Sequence, residues 1–120
     1  MSFTDPLSVT LQGTARSLAR IDAGKGQSEY SYTDATMKVT MVIRNNSQKP
    51  DANGRTKERH TISLRQTIFA TATVPEFVRQ CSITIENYFG DDVTAYDDLA
   101  IAVAAMATSG NVAKLANFES

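Results

Sequence analysis

Pro75-Glu76-Phe77-Val78-Arg79-Gln80-Cys81-Ser82-Ile83-Thr84-Ile85-Glu86-Asn87-Tyr88-Phe89-Gly90 is the stretch from which the fold is read. From Phe77 to Tyr88 it alternates, with Cys81, Ile83 and Ile85 on one side and Gln80, Ser82, Thr84 and Glu86 on the other. That period of two predicts a half-buried strand. It is a long one, since strands commonly run about 5–6 residues. Pro75 lacks an N–H for the ladder and marks the start; Gly90 with Asp91 and Asp92 marks the stop. One face needs a core and the other needs polar surroundings.

Upstream the same alternation recurs. Glu58–Phe69 sets Ile62, Leu64 and Ile68 against Arg59, Thr61, Ser63, Arg65 and Thr67. Met37–Asn45 sets Met37, Val39, Met41 and Ile43 against Lys38, Thr40, Val42 and Arg44. Between them, Asn46–Lys57 is a polar loop with Pro50 and an Asn53-Gly54 turn pair. A short strand is expected over Ser28–Tyr32, with Tyr30 and Tyr32 on one face. Before it, Asp22–Gly26 reads as a loop with two glycines. The N-terminal part reads as a hairpin in which Leu7, Val9 and Leu11 alternate, Gly13 turns the chain, and Thr14–Ile21 returns. Strands joined in sequence this way most simply form an antiparallel meander.

After Gly90 the period changes. Thr94 with Asp97 resembles a capping box, and Asp97 and Asp98 suit the positive end of a helix. Leu99–Ala107 is rich in helix formers and apolar nearly all the way round. Gly110 is expected to end this helix, and Asn111 to cap a second through Ala113, Leu115 and Phe118. Sheet first and helices last predicts an α+β fold. A single domain is expected over residues 1–120, with the hairpin at 7–21, the sheet at 28–88 and the helices at 94–118.

With 120 residues, 42% of them apolar, the chain has material for one ordinary core. No run approaches the ~18 apolar residues of a membrane span, and the N-terminus does not read as a secretion signal. A cytosolic product is expected. The lone Cys81 has no partner for an internal disulfide and reads as a small core residue. Net charge is −1, yet it is segregated: residues 37–65 hold seven bases against two acids, and residues 76–98 hold six acids against one base. Such segregation builds a cationic surface on a nearly neutral protein.

Two features ask for partners. The first helix has too little polar surface for its back to face water, so a second subunit is the expected cover. The polar face of the long strands carries Lys38, Thr40, Arg44, Arg59, Thr61, Ser63, Arg65, Gln80, Ser82 and Thr84, interrupted by Val42 and with Glu86 as its acid. Hydroxyls donate to phosphates and base edges, and cations neutralise phosphate, so this face suits RNA. Threonine-rich faces are also ordinary in sheets, because threonine favours strands.

Catalysis has little to stand on. His60, the one histidine, shares parity with Ile62 and Leu64 and reads as a core or edge residue. No Cys/His cluster has metal spacing, and Gly24-Lys25-Gly26 lacks the frame of a phosphate loop. Asp91, Asp92, Asp97 and Asp98 read as a strand stop and a helix start. No enzyme, metal or cofactor is expected.

The order of elements, together with the strings Met37-Lys38-Val39-Thr40-Met41-Val42-Ile43-Arg44, Arg59-His60-Thr61-Ile62-Ser63-Leu64 and Thr73-Val74-Pro75-Glu76-Phe77-Val78-Arg79-Gln80, resembles the coat proteins of the single-stranded RNA bacteriophages, the levivirus-like group. The resemblance covers essentially the whole chain. It implies an N-terminal β-hairpin, a five-stranded antiparallel sheet and two C-terminal α-helices in an intertwined dimer, with sheets joined edge to edge and helices reaching across the partner. It further implies a T=3 icosahedral virion shell, made in the cytoplasm of a bacterial host, whose sheets face the RNA genome. Relatives commonly bind a hairpin of that genome and repress translation. The partners implied are the chain itself and viral genomic RNA, with no membrane and no small-molecule substrate.

Carried over by position, the resemblance implies RNA contacts at Lys38, Thr40, Val42, Arg44, Arg59, Thr61, Ser63, Arg65, Gln80, Ser82 and Thr84. Departures stand at Val42, where a serine is frequent, at Ser63, where a lysine is, at Gln80, where a tyrosine stacks on a base, and at Ser82, where an asparagine meets the backbone. Tyr30 or Tyr32 is the candidate substitute ring. Leu99, Ile101, Val103, Met106 and Leu115 are the expected dimer interface. Ala70, Thr71, Ala72, Thr73, Val74 and Pro75 correspond to the loop between dimers, with Val74-Pro75 a candidate cis bond. The alternative is a dimeric regulator that binds RNA or a ligand on its sheet and never assembles.

Overall fold

The computed structural model describes residues 3–119. Six strands, β1 (Leu7–Leu11), β2 (Thr14–Gly24), β3 (Gln27–Thr33), β4 (Met37–Ser47), β5 (Lys57–Ile68) and β6 (Phe77–Tyr88), precede two helices, α1 (Val93–Ala105) and α2 (Ser109–Ala116). All strands pair antiparallel with their sequence neighbours in one sheet of order β1-β2-β3-β4-β5-β6. The α+β meander is as expected. The hairpin and sheet, however, are continuous, because β2 is long enough to pair with β1 through Thr14–Leu18 and with β3 through Ala19–Gly24.

Local chemistry explains the turns. Gln12 and Gly13 both have positive φ, 48° and 75°, and Leu11 pairs directly with Thr14, the two-residue hairpin that matches strand twist. Asp22–Gly24 is strand rather than loop. A register shift between Arg20 and Asp22 places a bulge at Ile21, which restores pairing of Asp22 with Glu29 and leaves Ile21 exposed. Gly26, at φ 67°, then makes the turn. The polar loop is shorter than predicted, since Asn46 and Ser47 still pair with Arg59 and Glu58.

The sheet curls so that the hairpin lies on the apolar face. Leu18, Tyr30, Val39 and Ile43 form the buried core, with Leu7, Val9, Leu11, Tyr32, Met37, Met41 and Leu64 packed around it. Gln66, 6% exposed, pins the hairpin turn: its Nε2 donates to Gln12 Oε1 at 3.2 Å, and its Oε1 accepts from Arg79 Nη1 at 3.2 Å. This cover reaches β3, β4 and part of β5 and stops short of the far edge. Cys81 is therefore exposed and not a core residue, because β6 is the edge strand that the hairpin does not cover.

The helix caps also differ from expectation. Asp92, not Thr94, is the N-cap of α1, accepting from Thr94 N at 3.0 Å, and Asp97 and Asp98 lie beyond the first turn. Thr108, not Asn111, caps α2, accepting from Asn111 N at 3.2 Å, and Gly110 lies inside α2 instead of ending α1. Side-chain oxygens nearer the strand and linker reach the free N–H groups first. The helices meet at 70°. Neither contains a buried residue.

Candidate nucleic-acid interface

Strand register places one polar surface opposite the core. Val42 lies across from Glu29 on β3 and Ser63 on β5, and Ser63 lies across from Ser82 on β6. One step along, Thr40, Arg65 and Gln80 form a parallel row; one step the other way, Arg44, Thr61 and Thr84 form another. Alternation along each strand puts the eleven predicted RNA-contact residues on this one face. Eight of them, Lys38, Thr40, Val42, Arg44, Thr61, Ser63, Arg65 and Gln80, line a single open hollow of about 440 Å³. Glu29 and Thr67, which are not among the predicted RNA contacts, complete its wall. Glu29 shares the parity of Ser31 inside the expected strand Ser28–Tyr32, and Thr67 that of Arg65, so alternation carried both signals.

The remaining three predicted contacts stand outside the hollow. Ser82 and Thr84 border a second depression that runs toward Leu99 and Val103 of α1. Arg59 is engaged: its Nε and Nη2 donate to Glu86 Oε1 at 2.9 and 2.6 Å, while Lys57 Nζ sits 2.9 Å from Glu86 Oε2. The Lys57 ammonium, then Arg59, holds the Glu86 carboxyl below its ordinary range, and Glu86 in turn raises Lys57. Lys38, Arg44 and Arg65 make no salt bridge among the described residues. They are the cations this face leaves without an acidic partner among the described residues.

The aromatic expectation needs correction. Tyr30 is wholly buried and receives Arg20 Nη2 on its hydroxyl at 2.8 Å; Tyr32 donates to Asp34 Oδ2 at 3.0 Å on the same, opposite face. Neither ring can reach the polar surface. Tyr88 does share the polar face's parity, and the Arg55 guanidinium lies over its ring at 4.1 Å. His60 faces the other way and pairs its Nδ1 with Asn45 Oδ1 at 2.7 Å. Among the described residues no cluster of three metal-ligating side chains occurs, and no single helix is long and apolar enough to cross a membrane.

The other predicted surfaces are exposed on this chain. Leu99, Ile101, Val103, Met106 and Leu115 are 63–69% exposed, and Phe118 is 97% exposed. The loop from residue 70 to 75 is exposed and braced by Thr71 N donating to Val74 O and Val74 N to Thr71 Oγ1. Among the described residues the cis peptide is Asp5-Pro6, so Val74-Pro75 is trans.

A family model described as "Phage phiCb5, coat protein" matches residues 4–88. The match spans all six strands and stops where β6 ends. A search of curated proteins finds no match.

Proposed function

Because this chain belongs to the phage phiCb5 coat-protein family, we propose that two copies interlock, join their sheets along β6, and hold genomic RNA on the combined polar face inside a T=3 shell. Family membership makes the chain a structural protein of the virion capsid and not an enzyme. Capsid assembly follows from that membership. RNA contact, the intertwined dimer and the shell geometry are the proposal.

The observation that carries the RNA reading is the convergence of Lys38, Arg44 and Arg65, none held by an acid among the described residues, on one hydroxyl-lined hollow. Cations without protein partners in a shared concavity are suited to phosphate. The dimer reading rests on what the chain leaves uncovered. β6 offers an unpaired edge of 12 residues, and long open edges recruit further strands. Beside it, α1 and its C-cap present Leu99, Ile101, Val103 and Met106 to solvent, large apolar side chains on both sides of the helix of the kind that mark an interface.

Translational repression belongs to the same face. Relatives stack a hairpin base on a tyrosine where Gln80 stands, and one base–aromatic stack contributes about 1–3 kcal/mol. Tyr88 under Arg55 is the aromatic that this face offers instead. Repression through it requires a hairpin different from those of such relatives.

Expression of the chain alone, followed by electron microscopy and light scattering, tests the reading. Shell-sized particles that carry nuclease-protected RNA are expected. Species that stop at about 26 kDa, twice the 13.0 kDa chain, overturn assembly by this chain alone. Particles free of host RNA overturn the RNA-binding face. A regulator that stays dimeric has no specific observation in its favour.

A further inference from the structure

We propose that Glu29 makes the polar hollow a guanine site, a deepening that rests on the RNA reading above. Glu29 is half-buried in the wall of a hollow that also holds Lys38, Arg44 and Arg65. It nevertheless makes no salt bridge among the described residues. A carboxylate repels phosphate, so a surface that served only to attract an RNA backbone gains nothing from one there.

The rows of the sheet give it a use. Glu29, Val42 and Ser63 stand directly across from one another on β3, β4 and β5. Directly opposed side chains have Cβ atoms about 4.5–5.5 Å apart. An aromatic base laid on the apolar Val42 therefore meets a carboxylate on one side and a hydroxyl on the other. Ser63 is held in place by Gln80, whose Nε2 donates to its Oγ at 3.1 Å. Arg65 and Arg44 occupy the rows on either side, where the phosphates flanking that base would lie.

The carboxylate selects among bases by their donors. Guanine places N1–H and the 2-amino N–H side by side on its Watson–Crick edge, which matches the two oxygens of one carboxylate. Adenine and cytosine offer a single amino group there, and uracil a single imide N–H. Unpaired bases in single strands expose this edge, and a two-bond match of this kind discriminates by about tenfold or more.

The test uses full-length protein, dissociated and freed of nucleic acid, with fluorescent RNA heptamers read by anisotropy at fixed salt. The probes are a uridine heptamer and the same heptamer with a central guanosine or a central inosine, which lacks the 2-amino group. The guanosine probe is expected to bind about tenfold tighter than the uridine probe, with inosine between. Glu29→Gln, which keeps the size of the side chain, should bring all three within about twofold without weakening the uridine probe. A wild-type protein that binds every heptamer equally overturns the proposal without reference to any variant. So does a Glu29→Gln protein that tightens all three by one factor, the mark of net charge alone. Failure of wild type to bind any heptamer brings down the RNA reading along with it.

Discussion

At residue scale, charges on this chain fall into those the fold consumes and those it leaves. Asp34 is consumed. Its Oδ1 accepts from Thr36 N at 2.7 Å, Thr36 Oγ1 at 2.8 Å and Met37 N at 2.9 Å, and its Oδ2 from Arg16 Nη1 at 3.1 Å. The Thr36 amide, then its hydroxyl, then the Met37 amide hold the carboxyl far below the usual range. A depressed folded-state pKa gives stability that is complete above the unfolded value of about 4 and is lost as pH falls through the folded value. Asp34→Asn should therefore lower the denaturation midpoint at pH 7, and its deficit should shrink below about pH 4. A deficit independent of pH would refute the assignment. Arg59 is likewise consumed, by Glu86, whereas Lys38 and Arg65 are left. Lys38→Ala and Arg65→Ala should each flatten the logarithmic salt slope of RNA binding by about 1, and Arg59→Ala by distinctly less. Equal slopes for all three would show that Glu86 releases Arg59 to the ligand.

At the scale of elements, two connections carry consequences. The β2–β3 turn depends on Gly26, whose carbonyl accepts from Asn45 N at 2.6 Å and Asn45 Nδ2 at 3.2 Å. A Cβ there would stand 2.9 Å from Asn45 O in a left-handed conformation. Gly54→Ala, at φ 75° with open space, should cost about 1–2 kcal/mol of left-handed strain in denaturant titration, and Gly26→Ala more, because the clash adds to a similar strain. Helix α1 carries the second consequence. Ile101 is 63% exposed on the chain alone, so Ile101→Asp costs little to one protomer and much to a face that a partner covers. Light scattering should find the variant at 13.0 kDa, where wild type forms dimers or larger species. A variant that still assembles would remove α1 from the interface.

For the whole molecule, shape is the informative quantity. The radius of gyration is 17.2 Å and the extents are 57 × 38 × 23 Å, whereas a compact chain of this length would have a radius near 14 Å. Only four apolar residues are buried among those described. Beside a core this small and its half-buried apolar neighbours, the association proposed above is expected to add to stability. The denaturation midpoint should rise with protein concentration, by about 1.4 kcal/mol per tenfold for a two-state dimer. A midpoint unchanged over a hundredfold range would show that the protomer stands alone.

Alternation of side chains, read without coordinates, established β4, β5 and β6, the face each residue shares, and the polar surface with its hydroxyls and cations, because a strand's period is a local property. The apolar run after Gly90 likewise announced α1. What required the tertiary structure was everything set by residues distant in the chain. The bulge at Ile21 decided how β2 continues from hairpin into sheet, and the register of β3 on β4 decided that Glu29 enters the hollow. The curl of the hairpin decided that Tyr30 is buried and Cys81 is not. Glu86 reaching Lys57 and Arg59 across strands decided which cations remain. Periodicity tells a side chain which face it joins; only pairing and packing between distant segments tell it which neighbours share that face and whether anything covers them.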